Sequence, residues 1–295
     1  MNTLFLFLQS LSDARTNILL PALISLTISA LISWTISRSN VRHKAEIDYE
    51  YEQKRALRNL QGEFYGRIVL AATDLNHRLF NLYENQTKKW LCVDGNYKAK
   101  DNYYFRTLVY RFLNFYSHIR MTEKKAILLD VRIASPSDHI FLNYMAAFKW
   151  VMTDVKLFED LDYDSNNETD HFFSDNLRRY CDYCSSNSQF ISMDKLDDLI
   201  ENPEERILPI CHFFDDLRRN EDRLRWDRLV AMHLLLVAFL NDFGTKRHRT
   251  TQEQFRKISN QMEHKEILRN LKAWIKKLDL HKSKGAREIL KTKPN

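Results

Sequence analysis

Three groups of side chains could do chemistry. The first is the stretch "CDYC", Cys181 and Cys184, followed by Cys211 and His212. Two thiolates three residues apart can share a zinc ion, and a further thiol and imidazole would complete a tetrahedral set. The second pair is adjacent in sequence and lacks that spacing, and cysteine and histidine also serve as plain core residues. The expectation is therefore no metal and no cofactor, with these four residues as the ones that would hold zinc. The second group lies in "RFLNFYSH", where Arg111 and His118 stand seven apart on one face of a helix. There an imidazole could move a proton while a guanidinium holds phosphate. The third is a strip of Ala71, Asp74, Arg78 and Asn81. Asp74 and Arg78 are spaced as an i,i+4 pair, and Arg111 on the next helix is a candidate further partner. A structural network of Asp74, Arg78, Asn81 and Arg111 that selects the helix pairing is preferred over a ligand pocket.

Other chemistries are excluded by pattern. The five glycines stand at 62, 66, 95, 244 and 285, so neither GxGxxG nor GxxxxGK[ST] occurs. No HExxH, GxSxG or kinase set is present either.

Two resemblances follow from these stretches. "RFLNFYSH" resembles the R-x4-6-H element of HEPN ribonucleases, which implies an all-helical, usually dimeric enzyme with Arg111 and His118 as its catalytic pair. Phe112 stands where that family commonly has a polar residue. More broadly, "AATDLNHRLFNLYEN" followed by "YYFRTLVYRFLNFYSHIRM" resembles bacterial helical membrane-anchored proteins of uncharacterised activity, in which an AA-x-DL-x-x-RL-x-N helix pairs with a Tyr- and Arg-containing one. That resemblance covers residues 62–154 and implies no activity.

The elements that would position these groups read as helices. Only five glycines and five prolines occur in 295 residues, a scarcity of breakers that disfavours a strand-rich sheet. Apolar residues recur at Leu57, Phe64, Ile68, Ala72, Leu75, Leu79 and Leu82, then at Tyr104, Leu108, Phe112, Phe115 and Ile119, then at Phe141, Met145, Phe148 and Met152. Each set marks one face of a helix. "SPSD" at 135–138 supplies N-caps for the third. Residues 161–170 read as a loop, and 171–184 as a shorter helix ended by "SSNSQ". The run 223–243 reads as the central buried helix, since its uncharged part, Leu229 to Asn241, is too short to cross a bilayer. Gly244 stops it.

One segment has a different character. "NILLPALISLTISALISWTIS", Asn17 to Ser37, holds no ionisable residue. Nineteen residues at about 1.5 Å rise cover roughly 28 Å, close to the hydrocarbon thickness of a bilayer. A signal peptide would place positive charge ahead of a shorter run, whereas Arg38, Arg42 and Lys44 follow this one. The same asymmetry predicts the N-terminus outside and the rest in the cytoplasm, at the inner (plasma) membrane. Ser25, Ser29 and Ser33, with Ala22 one turn before, present a small-residue face for self-association into a homo-oligomer.

Charge is uneven along the chain. Residues 154–205 carry fifteen acidic and four basic side chains, whereas 246–295 carry fifteen basic and five acidic. The basic end could meet anionic lipid, nucleic acid or the acidic segment. Its apolar residues Phe255, Ile258, Met262, Ile267, Leu271, Trp274, Ile275 and Leu278 favour packing on the bundle. Four cysteines make no disulfide framework and suit a reducing compartment.

The reading is an all-α chain. It comprises an extracytoplasmic segment 1–17, a transmembrane helix 18–37, a charged juxtamembrane helix 38–58, a cytoplasmic helical bundle 59–245 and a basic helical region 246–295. Its expected role is that of a single-pass, membrane-anchored interaction or sensor/effector protein without a catalytic site, suited to bacterial stress or phage defence, with an unidentified protein partner. The alternative is a membrane-tethered HEPN-like ribonuclease.

Overall fold

The computed structural model describes residue 3 and residues 20–97, 102–127, 130–166, 168–186, 189–201 and 207–293. The chain divides into two compact units, Met1–Arg55 and Ala56–Asn295. Of the expected extracytoplasmic segment, all but residue 3 lies outside the described residues, as do Ile18 and Leu19 of the expected span. The first helix, α1 (Leu20–Glu84), contributes to both units, so the expected breaks at 37/38 and 58/59 fall inside one element.

Among the described residues of the first unit, α1 has no core to join. Leu23, Ile24, Leu26, Ile28, Leu31, Ile32, Trp34 and Ile36 are each at least 50% exposed. Thr27 and Thr35 turn their hydroxyls back to the Ile24 and Leu31 carbonyls, at 2.9 and 3.0 Å, which removes their need for water. This is one helix long and apolar enough to cross a membrane.

The second unit is a helical bundle. After α1 come α2 (Tyr103–Ala126), α3 (Pro136–Thr153), α4 (Ser174–Tyr183), α5 (Met193–Glu201), α6 (Leu208–Phe214), α7 (Arg225–Phe243), α8 (Gln252–Ser259), α9 (Lys265–Lys277) and α10 (Lys284–Lys291). A two-residue hairpin pair, β1 (Ser185–Ser186) and β2 (Gln189–Phe190), stands where "SSNSQ" was expected only to end a helix. Its Asn187 and Ser188 lie outside the described residues.

The stripes read from sequence are core. Phe64, Ile68, Ala72, Leu75 and Leu79 of α1, and Leu108, Phe112 and Phe115 of α2, are fully buried. Ser135 and Asp138 form a capping box on α3, with Pro136 in its first turn. From Arg225 to Leu240 every residue of α7 is buried, so this helix must be surrounded. It packs against α3, α8, α9 and α10, while α2 packs against α4, α5 and α6. The basic end is part of this bundle, with Phe255, Ile258, Ile267, Leu271 and Ile275 all buried. Two carboxylates of the acidic stretch pair with α2, through Arg106–Asp197 at 2.8 Å and Arg120–Asp182 at 3.2 Å. Arg269 on α9 pairs with Asp160 at 2.5 Å.

Candidate functional site

The residues singled out on α1 and α2 meet along one antiparallel seam. Tyr104, Arg111, His118 and Lys125 recur every seven residues on α2. They face Arg78, Asp74, Arg67 and Glu63 of α1 in turn. The Tyr104 hydroxyl donates to the Arg78 carbonyl at 2.9 Å, and Arg111 Nη1 to the Asp74 carbonyl at 3.4 Å. Lys125 Nζ donates to both Glu63 oxygens at 2.6 and 2.7 Å. Arg67 lies close enough to His118 to act on its charge. Asp74 and Arg78 do not form an ion pair with each other. The Arg78 guanidinium instead lies 4.3 Å from the Tyr104 ring centroid, where the aromatic face offers a better-desolvated partner than a half-exposed carboxylate. Asn81 is exposed and accepts from Asn85 at 2.9 Å.

The Arg111 and His118 chemistry is shaped by this seam. Burial, then neighbouring Arg78, lowers the Arg111 pKa. Burial first, and Arg67 second, brings His118 down to about 4, so its imidazole is neutral at pH 7. Its Nδ1 is buried without a hydrogen-bond partner.

Cys181, Cys184 and Cys211 are buried free thiols. Burial pushes Cys184 and Cys211 up to about 12 and Cys181 higher still, which keeps them protonated. Tyr97 approaches the His212 ring at 6.2 Å. Among the described residues no group of three or more His, Cys, Asp or Glu could hold a metal ion.

The first turn of α7, "RWDR", gathers four helix ends. Arg225 donates to the carbonyls of His212, Phe213 and Asp215, at 3.0, 2.8 and 2.7 Å, closing the end of α6. Trp226 Nε1 donates to the Gln261 carbonyl, just past α8, at 2.9 Å. Asp227 accepts from the backbone N–H groups of Glu263 and His264, ahead of α9, both at 2.8 Å. Arg228 donates to the carbonyls of Val151 and Asp154, ending α3, at 2.5 and 3.2 Å. The signs follow the helix dipole, with cations at two C-termini and an anion at an N-terminus. Arg228 is fully buried and lies 4.2 Å from the Phe158 ring; burial brings its pKa to about 10.

Beside this turn two loops form a cleft. Asp215 accepts from Val93 N–H at 3.1 Å, Gly95 N–H at 2.8 Å and the Tyr97 hydroxyl at 3.2 Å, and Asp216 N–H donates to the Leu91 carbonyl at 2.7 Å. These bonds clamp the loop after α1 to the loop before α7. Lys89, Asp94, Asp216 and Asn220 there have positive φ, as does Gly95. Such backbone is costly and persists where surrounding contacts impose it. The clamp leaves a cavity of about 170 Å³ lined by Gln86, Lys89, Trp90, Leu217, Arg218 and Arg219 among others. No motif flags it in the sequence, because its two sides are some 120 residues apart; the "DDLRRNEDRLRWDR" charge cluster is its one visible sign.

Comparison with known proteins adds no relative: no family model, curated protein or solved structure matches the chain.

Proposed function

We propose that the chain is a single-pass, membrane-anchored sensor or interaction protein whose helical bundle receives a signal in the cytoplasm and carries no catalytic site. The observation that carries this reading is the uncharged surface of α1 between Leu23 and Ile36, which none of the described residues covers. In water so long an apolar face is unfavourable, at about 25 cal/mol per Å² left exposed, and a bilayer removes that cost. Arg38, Arg42 and Lys44 set the bundle on the cytoplasmic side. The face of Ala22, Ser25, Ser29 and Ser33 is exposed and brings two copies together in the membrane.

The two-loop cleft is the receiving site. Its Trp90 ring lies 4.5 Å from Tyr104, which in turn bonds Arg78 of α1. An occupant of the cleft therefore acts on side chains that grip the same helix that carries the apolar stretch. Arg111 and His118 serve the α1–α2 seam in this reading.

Alkaline carbonate washing of membranes from cells expressing the full chain tests it. The chain is expected to stay in the pellet, with a C-terminal tag protected from protease added outside whole cells. Release by carbonate, or digestion of the tag, overturns the reading. RNA degradation by the purified chain that disappears in His118→Ala would establish the ribonuclease reading in its place.

A further inference from the structure

The two-loop cleft has the composition of a site for one class of small molecule. Lys89, Arg218 and Arg219 reach it from two loops, against the single carboxylate of Asp216 among its charged lining residues. Their charges are poorly answered within the protein. Arg218 stands 3.6 Å from Asp216 and Arg219 stands 3.6 Å from Glu263, both beyond good hydrogen-bond length. Arg219 Nε is buried and has no hydrogen-bond partner. The Arg219 side chain as a whole stays 37% exposed, and a guanidinium fork matches the oxygens of phosphate.

A flat surface lies beside these cations. Trp90 is 38% exposed and lines the same cavity, its ring steadied by Tyr104 at 4.5 Å. An exposed indole next to arginines is the combination on which a base stacks while its phosphate is held. Gln86 adds an amide: its Nε2 donates to Gln261 Oε1 at 2.6 Å, which points its own carbonyl the other way as an acceptor. At about 170 Å³ the cavity is below the roughly 300–1,000 Å³ of pockets that enclose a whole drug-sized ligand, so it takes one flat ring while the rest of the ligand lies at the mouth. The clamp of Asp215 on Val93, Gly95 and Tyr97 holds both sides in place beforehand, which lowers the ordering cost of binding.

We infer that the cleft between residues 85–92 and 216–220 binds a nucleoside monophosphate, the base stacked on Trp90 and the phosphate on Arg218, Arg219 and Lys89. This deepens the sensor reading and rests on it for the consequence of binding, though not for binding itself.

Calorimetric titration of the full chain in detergent micelles tests the inference, with AMP, GMP, CMP and UMP as probes and adenosine, ribose 5-phosphate and inorganic phosphate as partial ligands. At least one monophosphate is expected to bind saturably and quench tryptophan emission, with its nucleoside and ribose 5-phosphate at least about tenfold weaker. Trp90→Leu is expected to weaken monophosphate binding about tenfold or more and to abolish the quench. Arg218→Gln, at a side chain that is 60% exposed, is expected to weaken the monophosphate but not the nucleoside. Helical signal and melting temperature are read for every variant. Absence of saturable binding by all four monophosphates overturns the inference. So does equal affinity for inorganic phosphate and monophosphate that Trp90→Leu leaves unchanged, which would mark a plain anion site. Carbonate extraction of the same chain is read separately, so failure of the anchor and failure of the cleft are told apart.

Discussion

Gly285 of α10 lies so close to Ala238 of α7 that a Cβ on it would run into the Ala238 carbonyl oxygen. The same glycine donates its N–H to Asp242 Oδ1 at 2.8 Å, and Tyr144 donates to Asp242 Oδ2 at 2.7 Å. The end of the basic region is thus fastened onto the central helix by a backbone approach that only glycine permits.

Gly285→Ala should therefore push α10 outward and destabilise the bundle by about 1–3 kcal/mol, as overpacking does. Gly62→Ala is the control. That glycine is exposed within α1 with nothing within 4 Å of an added Cβ, so the change should stabilise by about 0.5–1 kcal/mol. Thermal melts of the two variants should move in opposite directions, and a shared direction would refute the packing account.

At the start of α7, Arg228→Lys should lose most of what Arg228→Ala loses. One ammonium cannot keep two carbonyls at the end of α3 and also lie flat on Phe158. The alanine variant is expected to cost about 3 kcal/mol or more by urea unfolding. Rescue by lysine to within about 0.5 kcal/mol of the parent would show that charge alone matters there.

Stability should fall in mild acid. Burial brings His118 and His171 down to about 4 and His233 to about 3. The unfolded chain takes up these protons near pH 6.5, and the folded chain does not until well below pH 5. The stabilisation is complete above about pH 6.5 and declines as pH falls, by about 1.4 kcal/mol per pH unit for each group. Asp227, Glu168 and Glu221, raised by burial, work in the opposite sense at the acid end of that range. Urea midpoints at pH 7 and pH 5 should show the loss, and His118→Asn should reduce the slope by about one proton. An unchanged midpoint would mean that these histidines are solvated.

Asp215→Ala should open the clamp under the cleft. Val93 and Gly95 would lose the acceptor for their N–H groups, at a cost of about 1–3 kcal/mol. Hydrogen exchange at those two amides should accelerate while amides within α7 keep their protection. Unchanged exchange at Val93 and Gly95 would show that the loops hold without the carboxylate.

The helical class and the core were legible because they rest on local periodicity. Phe64 to Leu79 and Leu108 to Phe115 are spaced by the helix repeat, and Ser135 with Asp138 caps α3 within four residues. What escaped was built by residues far apart in the chain. Arg225, Asp227 and Arg228 belong to no local spacing pattern, yet each answers the end of another helix, Asp227 across 36 residues and Arg228 across 77. Arg78 likewise read as the partner of Asp74, whereas its strongest neighbour, Tyr104, comes from the next helix. The cleft needed Asp215 to meet Gly95, which no spacing rule anticipates.

The "RWDR" turn also dictates where this chain can change length. One residue inserted after Leu229 would rotate 225–228 by about 100° against the buried stretch that follows. Arg228 would then aim at the Glu263 and His264 N–H groups and Asp227 at the Gln261 carbonyl, and the bonds to four helix ends would be lost together. Lengthening the exposed loop around Asp164 and Asn166 disturbs none of these bonds. Grafts, tags and reporters belong there, and α7 is the ruler against which the other helices are cut.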